Sequence, residues 1–277
     1  GFQPDCVIIK ESDGVDSWQI YDSRRGAGKV LYPNGNNAEY DGSELSSFNA
    51  DGFTVTGNPN ENGKTYIYAA FKKNVASNTT LANSFQIVPY TGNQSTNSIT
   101  GFGFKPDLIW LKERSGTDRH VLIDTLRGED SQLSSDSDAA QTTYASNFDS
   151  FDTDGFTLGD ATETNGNGET YVAWCWKAGN TWQSNIDGSL PTLVNVNTAN
   201  GFSIVKLDKT TDGSTASTFG HGLSSAPEVI LLKRTDGTED WYVYHTSMGN
   251  AARIQLNSNA AKTTGTNVWD QTDPTSS

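Results

Sequence analysis

The chain has 277 residues, of which 34% are hydrophobic, and its 33 acidic and 19 basic side chains give a formal charge of −14. A negative field of this size repels a phosphate backbone, which excludes nucleic acid as a partner. No apolar run approaches the roughly 18 residues that a membrane-spanning helix needs, so the sequence also argues against membrane insertion.

Three copies of one segment occur in the chain, at residues 4–38, 106–140 and 227–261. We call the modules that contain them units one, two and three, and we call residues at the same offset from the first proline of each copy equivalent. The copies share five residues. These are a proline (Pro4, Pro106, Pro227), a lysine (Lys10, Lys112, Lys233), two glycines (Gly14, Gly116, Gly237 and Gly26, Gly128, Gly249) and an alanine (Ala38, Ala140, Ala261). Such self-similarity indicates a repeated module, and the copies lie too far apart for a solenoid. We therefore expect three independent beads on a string.

Each copy opens with a predicted β-hairpin. The first strand is a short apolar run entered from Pro-Asp or Pro-Glu, which is typical of a strand covered on both faces. A second run follows a loop that contains Asp-Gly or Ser-Gly, and this glycine supplies the positive φ of a hairpin turn. The paired runs are residues 6–10 and 18–22, 108–112 and 120–124, and 229–233 and 241–245.

A closing segment with two further strands follows the repeat in units one and two. Its strands are residues 52–55 and 66–71 in unit one and residues 155–158 and 171–176 in unit two, and we expect each pair to form a second hairpin through its Asn/Gly-rich turn. The last strand of unit two is apolar on both sides, which predicts a central position in a sheet. Unit three has no closing segment and unit one has no opening strand like that at residue 84. We therefore expect the chain to be a piece of a longer polypeptide.

The spacing of these elements predicts an all-β fold. No window longer than about ten residues has the helical period, and turn residues recur between short strands, as in antiparallel sandwiches. We predict three tandem β-sandwich modules of jelly-roll or concanavalin-like type. They cover residues 1–74, without an opening strand, residues 84–179, which are complete, and residues 198–277, without closing strands.

Several of these motifs resemble a known repeat. Residues 103–112 (GFKPDLIWLK), 151–159 (FDTDGFTLG) and 165–179 (NGNGETYVAWCWKAG) are similar to the tandem repeat domain of unknown function in virion proteins of marine tailed phages, with weaker versions in unit one. The resemblance extends over all three units and implies a tail-fibre or capsid-surface location, with a lectin-like sandwich fold. Unit three departs from the pattern because His245 stands where the other units have Asp22 and Asp124.

Planar side chains at one repeated position are the candidates for glycan binding. Trp18, His120 and Trp241 are equivalent residues at the boundary between loop and strand, and Arg119 lies beside them. A ring with polar neighbours can stack on a sugar face. The alternative is that these rings act as lids on the core, which is the commoner role of a large aromatic that begins a strand.

Asp152 and Asp154 are the candidates for a metal site. They precede Gly155 in an Asp-x-Asp-Gly turn whose oxygens suit Ca²⁺, although the bidentate Glu of an EF-hand loop is missing. Asx side chains that form the turn explain the same residues. No other cofactor is expected.

The sequence favours a protein that is not an enzyme. Its histidines, His120, His221 and His245, occupy non-equivalent places, and no nucleophile elbow or zinc motif is present. Cys6 and Cys175 lie in apolar strand patterns and are interpreted as buried free thiols. Acids that recur in the units flank turns.

Two functions remain as hypotheses. The first is a structural virion-surface protein, in a tail fibre or as capsid decoration, whose partners are other virion proteins and copies of itself. The second is an adhesin module that binds a host receptor or surface glycan. Both place the chain at the virion surface, outside the cell.

Overall fold

The computed structural model describes residues 1–73, 84–208, 216–265 and 268–277, and its regular elements are mainly short strands. Unit one contains β1 (Cys6–Glu11), β2 (Gln19–Asp22), β3 (Gly26–Leu31), β4 (Tyr40–Asp41), β5 (Leu45–Asn49), β6 (Gly52–Val55) and β7 (Tyr66–Phe71). Unit two contains β8 (Phe85–Thr91), β9 (Asn97–Thr100), β10 (Leu108–Glu113), β11 (Val121–Asp124), β12 (Ser131–Gln132), β13 (Thr142–Thr143), β14 (Ser150–Asp152), β15 (Gly155–Leu158), the one-turn helix α1 (Thr162–Asn165) and β16 (Thr170–Trp176). The remaining strands are β17 (Gln183–Asn185), β18 (Thr192–Asn197), β19 (Phe202–Leu207), β20 (Val229–Leu232), β21 (Tyr242–His245), β22 (Ala252–Gln255) and β23 (Thr263–Thr264). Short 3-10 turns lie at Asn58–Asn60, Thr246–Met248 and Trp269–Gln271.

The predicted opening hairpins and the central position of β16 are confirmed. The predicted closing hairpins are wrong, because β6 pairs with β5 and β15 with β14 and β9, whereas β7 and β16 join the sheets of the opening hairpins. In unit one, β1 pairs antiparallel with β2 on one side and with β7 on the other. In unit two, β10 lies between β11 and β16, and β16 in turn pairs with β8. Both neighbours of β16 satisfy its backbone, and all but one of its residues are buried because separate core clusters cover its two faces.

The prediction of three tandem β-sandwich modules is wrong. The fold is all-β, but its small antiparallel sheets are arranged as a five-bladed β-propeller. The prediction assumed that each module covers the inner faces of its own strands. Instead, the largest core cluster unites apolar side chains of all three units, including Trp18, Ile20, Trp110, Trp174, Trp241 and Val243.

The three units also close into a ring through equivalent backbone hydrogen bonds. The amide that follows the repeat in one unit donates to the carbonyl that follows the first strand of the next. These bonds join Glu39 N to Arg114 O, Gln141 N to Thr235 O and Lys262 N to Ser12 O, each at 2.8 Å. Unit one thus contacts unit two, unit two contacts unit three, and unit three contacts unit one. The expectation of independent beads is therefore also wrong.

The outer faces of units one and two have separate apolar clusters. In unit two the sheet of β9, β14 and β15 covers the outer face of the sheet that contains β10. Ile109, Phe148 and Phe156 are buried between these two sheets. In unit one the β5–β6 hairpin covers Val7, Ile9 and Tyr21. The predicted module boundary at residues 74–84 falls largely on residues outside those described, and the domain limits stay a prediction.

Within the described residues, no helix is long and apolar enough to cross a membrane.

Candidate functional site

The aromatic residues predicted to bind glycan lie at the seams between the units. Trp18, His120 and Trp241, which we call the closure ring, each contact a backbone carbonyl of a neighbouring unit. Trp18 Nε1 donates to Gln255 O at 2.8 Å, Trp241 Nε1 donates to Ser134 O at 2.8 Å, and His120 Nε2 lies 3.0 Å from Tyr32 O. The three carbonyls occupy equivalent positions, so one interaction is repeated at all three seams.

The closure ring is buried. Trp18 is 4% exposed, His120 0% and Trp241 6%. Because stacking on a sugar needs an open ring face, these three positions offer no platform at the surface, and the alternative interpretation as lids on the core matches their placement. Arg119 is different, since its side chain is about half exposed and lies 3.6 Å from Asp136.

His120 is a neutral imidazole in this setting. Trp110 Nε1, which can only donate, lies 2.8 Å from His120 Nδ1. The ring proton is therefore on Nε2, which donates to Tyr32 O. Burial, together with the positive charge of Lys112, lowers the pKa of His120 to about 3. Protonation of Nδ1 would place a proton against the indole N–H and break the hydrogen bond from Trp110.

His120 should make the stability of the fold sensitive to acid. The pKa of His120 is near 6.5 when unfolded and about 3 when folded, so its contribution to stability is complete above pH 6.5 and is lost as the pH falls. Between pH 7 and pH 5 we expect a loss of about 2 kcal/mol from this group, at roughly 1.4 kcal/mol per pH unit. Urea unfolding at the two pH values measures it.

A double variant provides the control. Unit three combines Leu231 with Trp241 at the positions of Trp110 and His120. Trp110→Leu with His120→Trp should therefore keep the seam hydrogen bond and remove the histidine. Asp107, Asp118 and Asp136, whose pKa values burial raises, shift stability in the opposite direction in both proteins. An equal pH dependence of both proteins would contradict the role of His120.

A buried ion cluster braces the seam between units one and two. Arg114 Nη2 and Nε each lie 2.8 Å from a carboxylate oxygen of Glu39, and Arg25 contacts both Glu39 and Asp22. Trp174 Nε1 donates to Asp22 Oδ2 at 3.0 Å. Burial alone would raise the pKa of Glu39, but the hydrogen bonds from Arg114 and the charges of both arginines hold it below its usual value.

Sequence reasoning missed this cluster. Its one signal is the spacing of Asp22 and Arg25, which recurs in unit two as Asp124 and Arg127 and forms an ion pair in both units. The spacing is lost in unit three, where His245 replaces the aspartate. An acid and an arginine three residues apart, repeated in two units, point to a structural ion pair.

The predicted metal ligands serve different partners. Asp152 accepts hydrogen bonds from Ser150 Oγ and Thr157 Oγ1, both at 2.7 Å. Asp154 accepts from the backbone N–H groups of Gly101 at 3.1 Å and Gly103 at 2.6 Å, and these bonds lower its pKa. In the described parts of the chain, no group of three or more His, Cys, Asp or Glu side chains is placed to hold a metal ion. The arrangement matches the alternative, in which both side chains shape turns.

We expect Asp154→Ala to lower the Tm by a few degrees, because the amides of Gly101 and Gly103 lose their acceptor. Asp154→Asn retains one acceptor oxygen and should recover part of the loss. Thermal unfolding with and without chelator provides the measurement. A Tm of the unaltered protein that rises with Ca²⁺ and falls with chelator, in a manner that Asp154→Ala abolishes, would contradict the turn role.

Both cysteines are buried free thiols, as predicted. Burial raises the pKa of each thiol well above its usual value. Cys6 and Cys175 therefore stay protonated and pack as small apolar side chains within their sheets.

Comparison with known proteins yields one family. A family model described as a domain of unknown function (DUF7483) matches residues 1–84 and 80–277. No curated protein and no solved structure matches the chain.

Proposed function

The chain belongs to the family described as a domain of unknown function (DUF7483), and we propose that it is a structural building block of the surface of a tailed phage, in a tail fibre or as capsid decoration. The proposed structural role rests on the contacts that the closure ring makes between the units. At three equivalent positions, the side chains best suited to bind a ligand instead hold neighbouring units together.

The surface of the chain supports the same role. A formal charge of −14 keeps a repetitive, exposed protein soluble and apart from nucleic acid. The buried seams join three related units into one body, which suits a component that bears load or spaces other parts. The virion location comes from the resemblance of residues 103–112, 151–159 and 165–179 to phage repeat domains.

Immunogold labelling tests this proposal directly. Antibodies raised against the recombinant chain should decorate the fibres or the capsid of purified particles of the virus that encodes it. Antibodies against a cytosolic host protein serve as the control. Detection of the chain in infected cells but not in purified particles would overturn the virion location.

A further inference from the structure

Residues 32–39 of unit one, which we call the strap, cross to unit two between β3 and β4 without forming a helix or a strand. At the first end of the strap, Tyr32 O lies 3.0 Å from His120 Nε2. At its second end, Glu39 N donates to Arg114 O at 2.8 Å, and the Glu39 carboxylate accepts two hydrogen bonds from the Arg114 side chain. Both ends of the strap are therefore fastened to unit two.

Equivalent segments cross the other two seams, at residues 134–141 and 255–262, but their ends are fastened differently. Their first carbonyls accept from an indole N–H, which is a donor only and carries no acid-titrating group, as Ser134 O does from Trp241 and Gln255 O from Trp18. At their second ends the same backbone hydrogen bond forms without a pair of opposite charges. The side chains there are Gln141 with Thr235 and Lys262 with Ser12, in the places of Glu39 and Arg114. Of these three segments, all of which the structure describes in full, the strap alone has side chains that titrate in acid at both ends.

We propose that the strap is an acid-released fastening, which detaches from unit two in mildly acidic solution while the equivalent segments stay in place. His120 is 0% exposed, and strap residues Tyr32 and Gly35 interact with its ring. An imidazolium keeps its Nε2 donor, but it cannot accept from Trp110, and it is a buried charge. Detachment of the strap exposes Nε2 to water and removes that cost. The property belongs to the chain itself and does not depend on a virion location.

The two fastenings weaken in the same direction but in different pH ranges. The pKa of His120 is about 3 while the strap is fastened and near 6.5 in water, so its contribution is complete above pH 6.5 and is lost as the pH falls. The pKa of Glu39 lies below its usual value of 4.5, because hydrogen bonds from Arg114 and the charges of Arg25 and Arg114 outweigh burial. The contribution of Glu39 is therefore present above pH 4.5 and is lost below it. His120 loosens the strap first, and Glu39 follows in stronger acid.

The charged groups around His120 act in two directions. Lys112 and Arg25 are positive in acid and add to the cost of a charge on His120, which favours release. Asp136, whose carboxyl faces the backbone N–H of His120, acts in the opposite direction because burial raises its pKa. Asp136 is still present in a variant without His120, so such a variant separates the two effects.

The strap can detach without opening the core. Within residues 32–39, Pro33 alone is buried. Two contacts that do not titrate also hold the strap, since Ser135 Oγ donates to Pro33 O at 2.7 Å and Asn34 Oδ1 accepts from Trp18 N at 2.8 Å. Local openings of such segments cost less free energy than global unfolding. Acid therefore raises the population of the released strap while the rest of the fold persists.

Hydrogen exchange of the full chain tests the proposal. The amides of Glu39, Gln141 and Lys262 are equivalent, and each donates across its seam at 2.8 Å. After correction for the intrinsic pH dependence of exchange, the protection of the Glu39 amide should fall about 20-fold between pH 7 and pH 5, as linkage to a histidine with these pKa values requires. The amides of Gln141 and Lys262 should keep their protection. An equal fall at all three amides, which indicates global unfolding, would overturn the proposal, and so would constant protection of Glu39.

Three variants assign the response to its source. Trp110→Leu with His120→Trp gives the strap the indole fastening of the other seams and should abolish the loss of protection between pH 7 and pH 5. His221→Gln removes a histidine that does not contact the strap and should leave the loss unchanged. Glu39→Gln introduces the glutamine of unit two, and it should lower protection at pH 7 and reduce the further loss below pH 4.5. Circular dichroism confirms that the variants fold. A loss that persists in the double variant, or one that His221→Gln removes, would contradict release through His120.

Discussion

Residues 84–179, expressed alone, are expected to form no stable monomer. This segment is unit two with its opening and closing strands, and it retains the outer cluster around Phe148 and Phe156. Without the other units, however, its inner face exposes Trp110, Val172 and Trp174, which are 2%, 0% and 0% exposed in the full chain. An apolar surface of this size drives association. Size-exclusion chromatography with light scattering should therefore show oligomers or aggregates.

The full chain is the control for this experiment. Because its three units share one core, it should elute as a defined species and lose its structure in a single cooperative transition by both tryptophan fluorescence and circular dichroism. A monodisperse, cooperatively folding monomer of residues 84–179 would show that the units are independent after all, and it would restore the picture of beads on a string.

Local pairing could be predicted because its signals are local. The runs at residues 6–10 and 108–112, with the glycines between them and the following strands, report on a neighbouring strand only a turn away. The two-sided apolar pattern of residues 171–176 indicates that the strand is covered on both faces, but its partners β10 and β8 lie far away in the sequence. The opening hairpins and the central place of β16 were accordingly predicted correctly, whereas the closing hairpins were not, because β7 and β16 pair with strands much earlier in the chain.

The arrangement of the sheets could not be predicted in the same way. A strand that is apolar on both faces must be covered on both faces, but the pattern does not say what covers it. Trp18 illustrates this, since its partner Gln255 lies 237 residues further along the chain. The same ambiguity affected the candidate site. The sequence of a strand that begins with an aromatic residue is the same whether its ring faces a sugar or a neighbouring unit.

Trp174→Ala should cost about 3–5 kcal/mol of unfolding free energy, the range for buried Phe or Trp truncated to Ala. Trp174 is completely buried, and its ring packs edge-on against Trp110 at 6.0 Å between centroids. Its Nε1 also donates to Asp22 Oδ2, so the substitution removes a donor from a buried carboxylate in another unit. The loss of a hydrogen bond to a charged group adds to the cost of the cavity, while Arg25 remains paired with Asp22. Urea unfolding monitored by circular dichroism measures the change.

Two further substitutions separate these causes. Trp174→Phe fills most of the cavity but cannot donate to Asp22, so it should lose about 1.5–3 kcal/mol, the range for a hydrogen bond to a charged group. Tyr144→Ala, at a ring that is 50% exposed, should change stability by about 0.5 kcal/mol or less. Trp174 lies opposite Trp110, and in unit one Ala69 lies opposite Ile8, the equivalent of Trp110, so alanine is compatible with the backbone at the position of Trp174. A loss for Trp174→Ala no larger than that for Tyr144→Ala would mean that the three units do not depend on the shared core.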